Sequence, residues 1–192
     1  MEDTPLWAYG ILDAFVNPSP PQSIWKESPF PVCGMIGRLF YMRIEPYKSK
    51  YYDNCIEIIQ SNTPKYIFPN EHLDYKNYLL KKDKTYFVLF NDFVLVACGG
   101  YGINKSQTKA GLSWGLVHSV HHNLGYGSYL LKYRLNHIIS NYPEIEIHLD
   151  TSQYTYRFFE KFGFSVNQIS KNGYGEGLDK YDMILKEYSK LW

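Results

Sequence analysis

The apolar residues of this 192-residue chain switch period along its length, from the alternation of strands to the three-to-four spacing of helices. RIEPY, Arg43 to Tyr47, reads as a short strand. Tyr52, Cys55, Ile56 and Ile59 share one side of a helix predicted from Lys50 to Ser61, which Ser49 can cap, and Asn70 can cap a second from Glu71 to Lys82. Thr85 to Phe90 and Phe93 to Gly99 form strands about an Asn91-Asp92 turn, after which Gly99-Gly100-Tyr101-Gly102 is expected to turn the chain. Gly111 to Val120 is apolar without helical spacing. The glycine-bearing stretch His122 to Gly127 separates it from a helical set, Leu130, Leu131, Arg134, Leu135 and Ile138. From Glu144 to Asp150 a strand places Ile145, Ile147 and Leu149 on one face and Glu146, His148 and Asp150 on the other. Asp150 or Thr151 can cap a helix running through Phe162 and stopping at Gly163. A hairpin of Phe164 to Ile169 and Lys180 to Lys186 then flanks the loop SKNGYGEGLD. Strands and helices mixed in this way predict a domain of the α/β (α+β) class.

Composition narrows the partners. Residues 1–41 hold most of the ten prolines and show no sustained period, so they read as an extension ahead of a domain spanning residues 42–192. Within the extension, Trp7, Tyr9, Ile11, Leu12 and Phe15 are apolar enough for a short helix that covers part of the domain. Lys and Arg total 20 against 19 acidic residues, a balance without the electrostatic footprint of nucleic-acid or membrane binding, and neither partner is expected. No stretch approaches the roughly 18 apolar residues of a membrane span. The start lacks the pattern of a signal peptide. Cys33, Cys55 and Cys98 are odd in number and lack metal-ligand spacing, so reduced thiols in a cytoplasmic protein are expected. His121 and His122 are adjacent and would point apart in an extended chain, with no third ligand suitably spaced; no metal site is expected. The 19 tyrosines suit both core and pocket walls.

Candidate chemistry centres on AGLSWGLVHSVHHNLGYGSYLLKYRLNHIIS, Ala110 to Ser140, which reads strand, phosphate-sized loop, helix. Such a junction aims backbone N–H groups and the positive end of a helix dipole at one point, where a pyrophosphate can sit without basic side chains. The loop HNLGYG lacks the Lys of a P-loop and the full GxGxxG of dinucleotide binding. It resembles instead the acetyl-coenzyme A signature of the GNAT acetyltransferases, Q/R-x-x-G-x-G/A, with Gly125 and Gly127 on the family's glycines. His122 stands where Gln or Arg is usual, and Asn123 where another Gly is common. The segment HLDTSQYTYRFFEKFGF, His148 to Phe164, is similar to the family's second motif and follows in the family's order.

The resemblance implies a central, mostly antiparallel mixed sheet flanked by helices and splayed near Leu116 and Val117, with acetyl-CoA as cosubstrate and no metal. It implies that the backbone of Leu116, Val117 and His118 pairs with the pantetheine arm as an added strand would. The amides of His122, Asn123, Leu124, Gly125, Tyr126, Gly127 and Ser128 would take the pyrophosphate. Ser152 stands for the family's frequent Asn, and Phe159 would pack near the thioester. The implied reaction is direct transfer of an acetyl group to a primary amine of a small molecule or a peptide, within a ternary complex. Partners would be acetyl-CoA, that unidentified acceptor and, at most, a second copy of the chain.

Acetyl transfer needs a neutral amine and a proton for the departing thiolate. The family positions that often hold the base fall here on Gly111 and Ser113, and the usual acid position falls on Phe159. Substitutes are sought in His148 and Asp150, on the polar face of their strand, and in Tyr156, one turn before Phe159. With the usual proton carriers missing, a non-catalytic acyl-CoA sensor is the alternative. Ser61 to Asn70, carrying Tyr66 and Phe68, stays open between packing and acceptor contact, and the resemblance puts the loop SKNGYGEGLD where family members vary their acceptor contacts.

Overall fold

The structure, a computed structural model, describes residues 41–185. The amphipathic stretch expected near Trp7 and the end of the last predicted strand at Lys186 lie outside the described residues. Seven strands make one mixed sheet in the order β1-β2-β3-β4-β5-β7-β6. β1 (Met42–Pro46), β2 (Thr85–Asn91), β3 (Val94–Ile103) and β4 (Lys109–Val117) are antiparallel neighbours. β5 (Glu146–Ser152) runs parallel to β4, and β7 (Leu178–Leu185) lies antiparallel between β5 and β6 (Phe164–Gly175).

Strand alternation divides the core into two layers. Phe87 and Leu89 of β2 face Leu130, Leu131, Leu135 and Ile138 of α3 (Tyr126–Asn141). Tyr86, Val88 and Phe90 face the other way, onto Cys55, Ile58 and Ile59 of α1 (Tyr52–Ser61) and Tyr75, Tyr78 and Leu79 of α2 (Glu71–Leu80). Helices thus cover both faces, each through one apolar stripe. The strand and helix assignments from apolar period hold for every element of this core, and the sheet is mostly antiparallel and mixed as expected.

Termini differ from the sequence expectations. Ser49 opens a 3-10 turn, Ser49–Tyr51, ahead of α1, whose first turn has no side-chain cap. Asn70 stands at the start of α2 without a capping bond; the Glu71 carboxylate accepts the Phe68 N–H at 2.7 Å instead. Asp150 and Thr151 cap nothing, because β5 continues through Ser152 and α4 (Tyr156–Glu160) begins only after Thr155. The segment SKNGYGEGLD is largely strand, since β6 runs to Gly175 and pairs there with Leu178.

The main correction concerns Gly99 to Gly102, which do not turn the chain but lie within β3. Their lack of side chains serves packing. A Cβ on Gly99 would meet Arg134 Nη1 at 2.9 Å, and one on Gly115, across in β4, would meet Nη2 at 2.8 Å. The buried Arg134 guanidinium occupies this glycine window and donates to Gly100 O at 3.2 Å and Ser113 O at 3.4 Å. Gly100 itself is closed on the other side: a Cβ there would fall 2.2 Å from Thr85 O and 2.6 Å from the Tyr86 ring. Gly100→Ala is therefore expected to lower the unfolding free energy by about 3 kcal/mol in chemical denaturation. Gly111→Ala, whose added Cβ meets nothing within 4 Å, is expected to change it by less than about 0.5 kcal/mol.

Candidate active site

β4 and β5 pair only at their feet, Lys109 to Gly111 against Glu146 to His148, and then part. The separation has a local cause. The β3–β4 register slips between Cys98 and Gly100, and Trp114 adopts φ 42°, bulging β4 away from a straight ladder. Tyr hydroxyls fix the bulge: Tyr86 donates to Trp114 O at 2.9 Å, and Tyr78 shares a hydrogen bond with Ser113 Oγ at 3.0 Å. Between the strands opens a cleft of about 630 Å³, within the range of small-molecule sites.

One end of the cleft has the geometry of an anion cradle. Asn123 and Gly125 have φ 63° and 88°, a left-handed turn that Gly accepts without cost and Asn tolerates better than most. α3 begins at once with Tyr126, so the orphan N–H groups of its first turn face the cleft. Gly127 packs against the end of β4, where an added Cβ would make ordinary contact with Val117 Cγ2 at 3.5 Å. His122 turns its ring back, with Nε2 3.0 Å from Val117 O; the carbonyl only accepts, so Nε2 carries the proton. Of the residues expected at the cosubstrate, Leu116, Val117, His122, Asn123, Gly125, Tyr126, Gly127, Ser128, Ser152 and Phe159 line the cleft.

His118 and Leu124 do not. The His118 amide is spent on Val96 O, its ring accepts from Val120 N, and Leu124 points into solvent. Val117 O also receives Asn62 Nδ2 at 2.9 Å, so this carbonyl is already satisfied from within the chain. Pairing of an incoming arm along Leu116 to His118 would therefore find two of those backbone groups occupied.

The three catalytic candidates separate. His148 sits in the paired foot of the strands opposite Gly111 and off the cleft, with Nε2 2.8 Å from Glu146 Oε1; burial lowers its pKa, against the pull of Glu146. Tyr156 stacks on Tyr181 at 4.6 Å and accepts from Arg157 Nε, also off the cleft. Asp150 lines the cleft. Its carboxyl is pushed up to about 7, first by burial and then by Asp182, while Lys180 at 3.6 Å opposes.

Sequence reasoning missed Glu71, Tyr174 and Arg134, all of which line the same cleft. Glu71 is buried in the first turn of α2, and desolvation lifts its carboxyl to about 7 despite the Phe68 N–H. Burial, then the charges of Asp150, Glu71 and Asp182, push the Tyr174 hydroxyl well above its ordinary value. An acidic residue in a first helical turn is ordinary, so only its burial marks Glu71. The open stretch from Ser61 to Asn70 divides between the cleft and the core. Tyr66 lies over the cleft, 5.4 Å from the His122 ring and 6.1 Å from that of Tyr154, whereas Phe68 packs into the space Gly175 leaves.

Residues 60–187 match the family model described as Acetyltransferase (GNAT) domain. The chain belongs to the GNAT acetyltransferases. No curated protein matches it in sequence. In fold it is similar to the ribosomal-protein-S18-alanine N-acetyltransferase of Escherichia coli, with 16% identity and a TM-score of 0.65 over 79% of this chain and 99% of that one. Arabidopsis thaliana Naa50, in complex with the bisubstrate analogue CoA-Ac-MVNAL, gives 17%, 0.60, 76% and 99% in the same order. An aminoglycoside 6'-N-acetyltransferase complexed with coenzyme A gives 15%, 0.61, 74% and 95%. The GNAT sheet is thus present with its splay, which begins at Leu112, earlier than the Leu116 to Val117 expected.

In the GNAT chain the buried Glu71 carboxyl has a cost that depends on pH. Its pKa of about 7 in the fold exceeds its ordinary value of 4.5, so the native state holds a proton that the unfolded state releases between these values. Stability is lost as pH rises through that window, and the loss is complete above it. Glu71→Gln keeps an acceptor for the Phe68 N–H and is expected to raise the unfolding free energy by about 2 kcal/mol near pH 8, with little change near pH 4, in denaturant titrations.

Proposed function

We propose that this enzyme transfers an acetyl group from acetyl-CoA to a primary amine, directly, with both substrates bound at once. The observation that carries this reading is the splayed cleft, with an anion cradle at one end and a carboxylate-bearing chamber at the other. The two ends suit two substrates that meet at β4. Fold neighbours bound to coenzyme A or to a bisubstrate analogue support the same arrangement.

The residues present fit acetyl-CoA by their chemistry. The first-turn amides of α3 suit its pyrophosphate, Val117 and Phe158 offer apolar contact to its arm, and Phe159 adds a ring near the strands' divergence. The thioester supplies an activated acetyl group; the protein supplies orientation and dry surroundings. Trapping both reactants in line replaces a bimolecular encounter by a step within one complex. The free, buried thiols of Cys55 and Cys98 suit work in the cytoplasm. Among the described residues no helix is long and apolar enough to cross a membrane.

Calorimetric titration with acetyl-CoA is expected to show one site, weakened at least thirtyfold in Gly125→Trp, whose indole would fill the cradle, while the left-handed backbone at this position costs the fold about 1 kcal/mol in denaturation. Unweakened binding in that variant would move the anion site elsewhere. Thiol release against a panel of amines, with both substrates varied, is expected to give intersecting double-reciprocal lines. Parallel lines would replace the ternary complex with an acetylated enzyme, and binding without release on any amine would leave an acyl-CoA sensor.

A further inference from the structure

The acceptor end of the cleft is unevenly charged. Glu71 reaches it from α2, and Asp150 from β5, with Asp182 of β7 hydrogen-bonded beside Asp150. One ammonium answers these carboxylates, that of Lys180, 3.6 Å from Asp150 and 3.1 Å from Asp182. Two cations line the cleft itself: Lys161, which follows α4, and Arg134, which is tied into the β3–β4 window by the carbonyls of Gly100 and Ser113. Asp74 adds negative charge on α2, while His72 is turned onto Thr63 Oγ1. Trp114, Tyr66 and Tyr174 supply aromatic faces to the same space. Carboxylates in excess with aromatic walls describe a chamber for a compact organic cation.

The two carboxylates differ in what holds them. Asp150 is bound into the Lys180 and Asp182 network, so its carboxyl is held in place by partners that a proton exchange on every turnover would disturb. Glu71 accepts a single hydrogen bond among the described residues, from Phe68 N–H to Oε1, leaving Oε2 without one. Its helix and the Tyr66 loop ahead of it form one wall of the chamber.

We propose that the acceptor is a small amine bearing a second cationic group, that Glu71 takes the proton from its reacting nitrogen, and that Asp150 anchors the second cation. This rests on the acetyltransferase reading above. Glu71 accepts one proton from the ammonium of the acceptor. The freed nitrogen lone pair attacks the thioester carbonyl, forming the N–C bond as the C–S bond breaks. The second proton of the nitrogen passes to the departing thiolate, and Glu71 returns its own to solvent. Burial lifts the Glu71 carboxyl to about 7, which makes it a stronger base than an exposed carboxylate while still able to release its proton to solvent.

The test compares three probes of similar length, 1,4-diaminobutane, n-butylamine and 4-aminobutanoate, at saturating acetyl-CoA. The wild-type enzyme is expected to give kcat/KM at least tenfold higher for the diamine than for the other two, with an acidic limb breaking near neutrality. Glu71→Gln is expected to lose at least a hundredfold in kcat and to lose that limb, with unchanged acetyl-CoA affinity by calorimetry, and Glu71→Asp to regain part of both. Asp150→Asn is expected to raise KM about tenfold for the diamine and less than threefold for n-butylamine. A role of Glu71 confined to bracing α2 would move neither the limb nor its rescue. Preference for 4-aminobutanoate, turnover of no probe by an enzyme that binds acetyl-CoA, or a Glu71→Gln rate within threefold of wild type would each overturn the inference. Failure of the wild-type enzyme to bind acetyl-CoA would instead overturn the donor assignment on which it rests.

Discussion

A single buried arginine sets the geometry on which the site depends. Arg134 rises from an otherwise apolar stripe of α3 and puts its guanidinium where Gly99 and Gly115 leave the sheet without side chains. Burial draws its pKa down to about 10, opposed by Tyr86, Tyr78 and Cys98, so it stays charged at neutral pH. Taking such a charge out of water costs several kcal/mol unless fixed dipoles replace the solvent. Here the carbonyls of Gly100 and Ser113 do so, and their positions are thereby dictated. Ser113 O turned toward α3 leaves the next residue, Trp114, in its left-handed bulge, and the bulge parts β4 from β5. The same side chain fixes α3 against the strands, and with it the helix N-terminus that makes the anion cradle.

The cleft divides its labour by chemistry. The cradle end presents backbone amides and the positive end of a helix dipole, which favour an anion. The far end presents ionisable side chains held away from water. Those groups weaken the fold, since both Glu71 and Asp150 resist ionisation where they stand. Their retention in a buried chamber fits a site whose stability has been given up for proton exchange and charge recognition.

Much of this was legible in the chain. The helical set Leu130, Leu131, Arg134, Leu135 and Ile138 is wholly buried, and the strand, loop and helix order about Gly125 stands where the pattern put it. Arg134 sat in that apolar set in plain view, yet its meaning needed Gly99 and Gly115, which are distant in sequence and join only through the β3–β4 pairing. Glycines that open a window look the same in a sequence as glycines that turn a chain. Glu71 was hidden for a similar reason. Its neighbours Phe68, Asp150 and Tyr174 come from three separate elements, and no local period reports desolvation. Tyr156 stood out by its helical position, but the roughly 60° that separates it from Phe159 about α4 decides whether a ring meets the cleft, as Phe159 does, or stacks on Tyr181.

His122 shows how a departure from the family pattern is absorbed. A long Gln or Arg could extend from this position, whereas the shorter imidazole folds back to Val117 O and makes an edge contact with Tyr66. Asn62, at the end of α1, bonds the same carbonyl, and Ser61 Oγ accepts the Ser119 amide. The end of β4, the cradle loop and the segment that leads to Tyr66 and Glu71 are therefore bound through one short stretch of backbone. Because these groups share hydrogen-bond partners, their energies do not add independently. Val117 O is the point at which the end of α1, the end of β4 and the cradle loop meet, so a substitution at Asn62 or His122 alters the other's hydrogen bond as well.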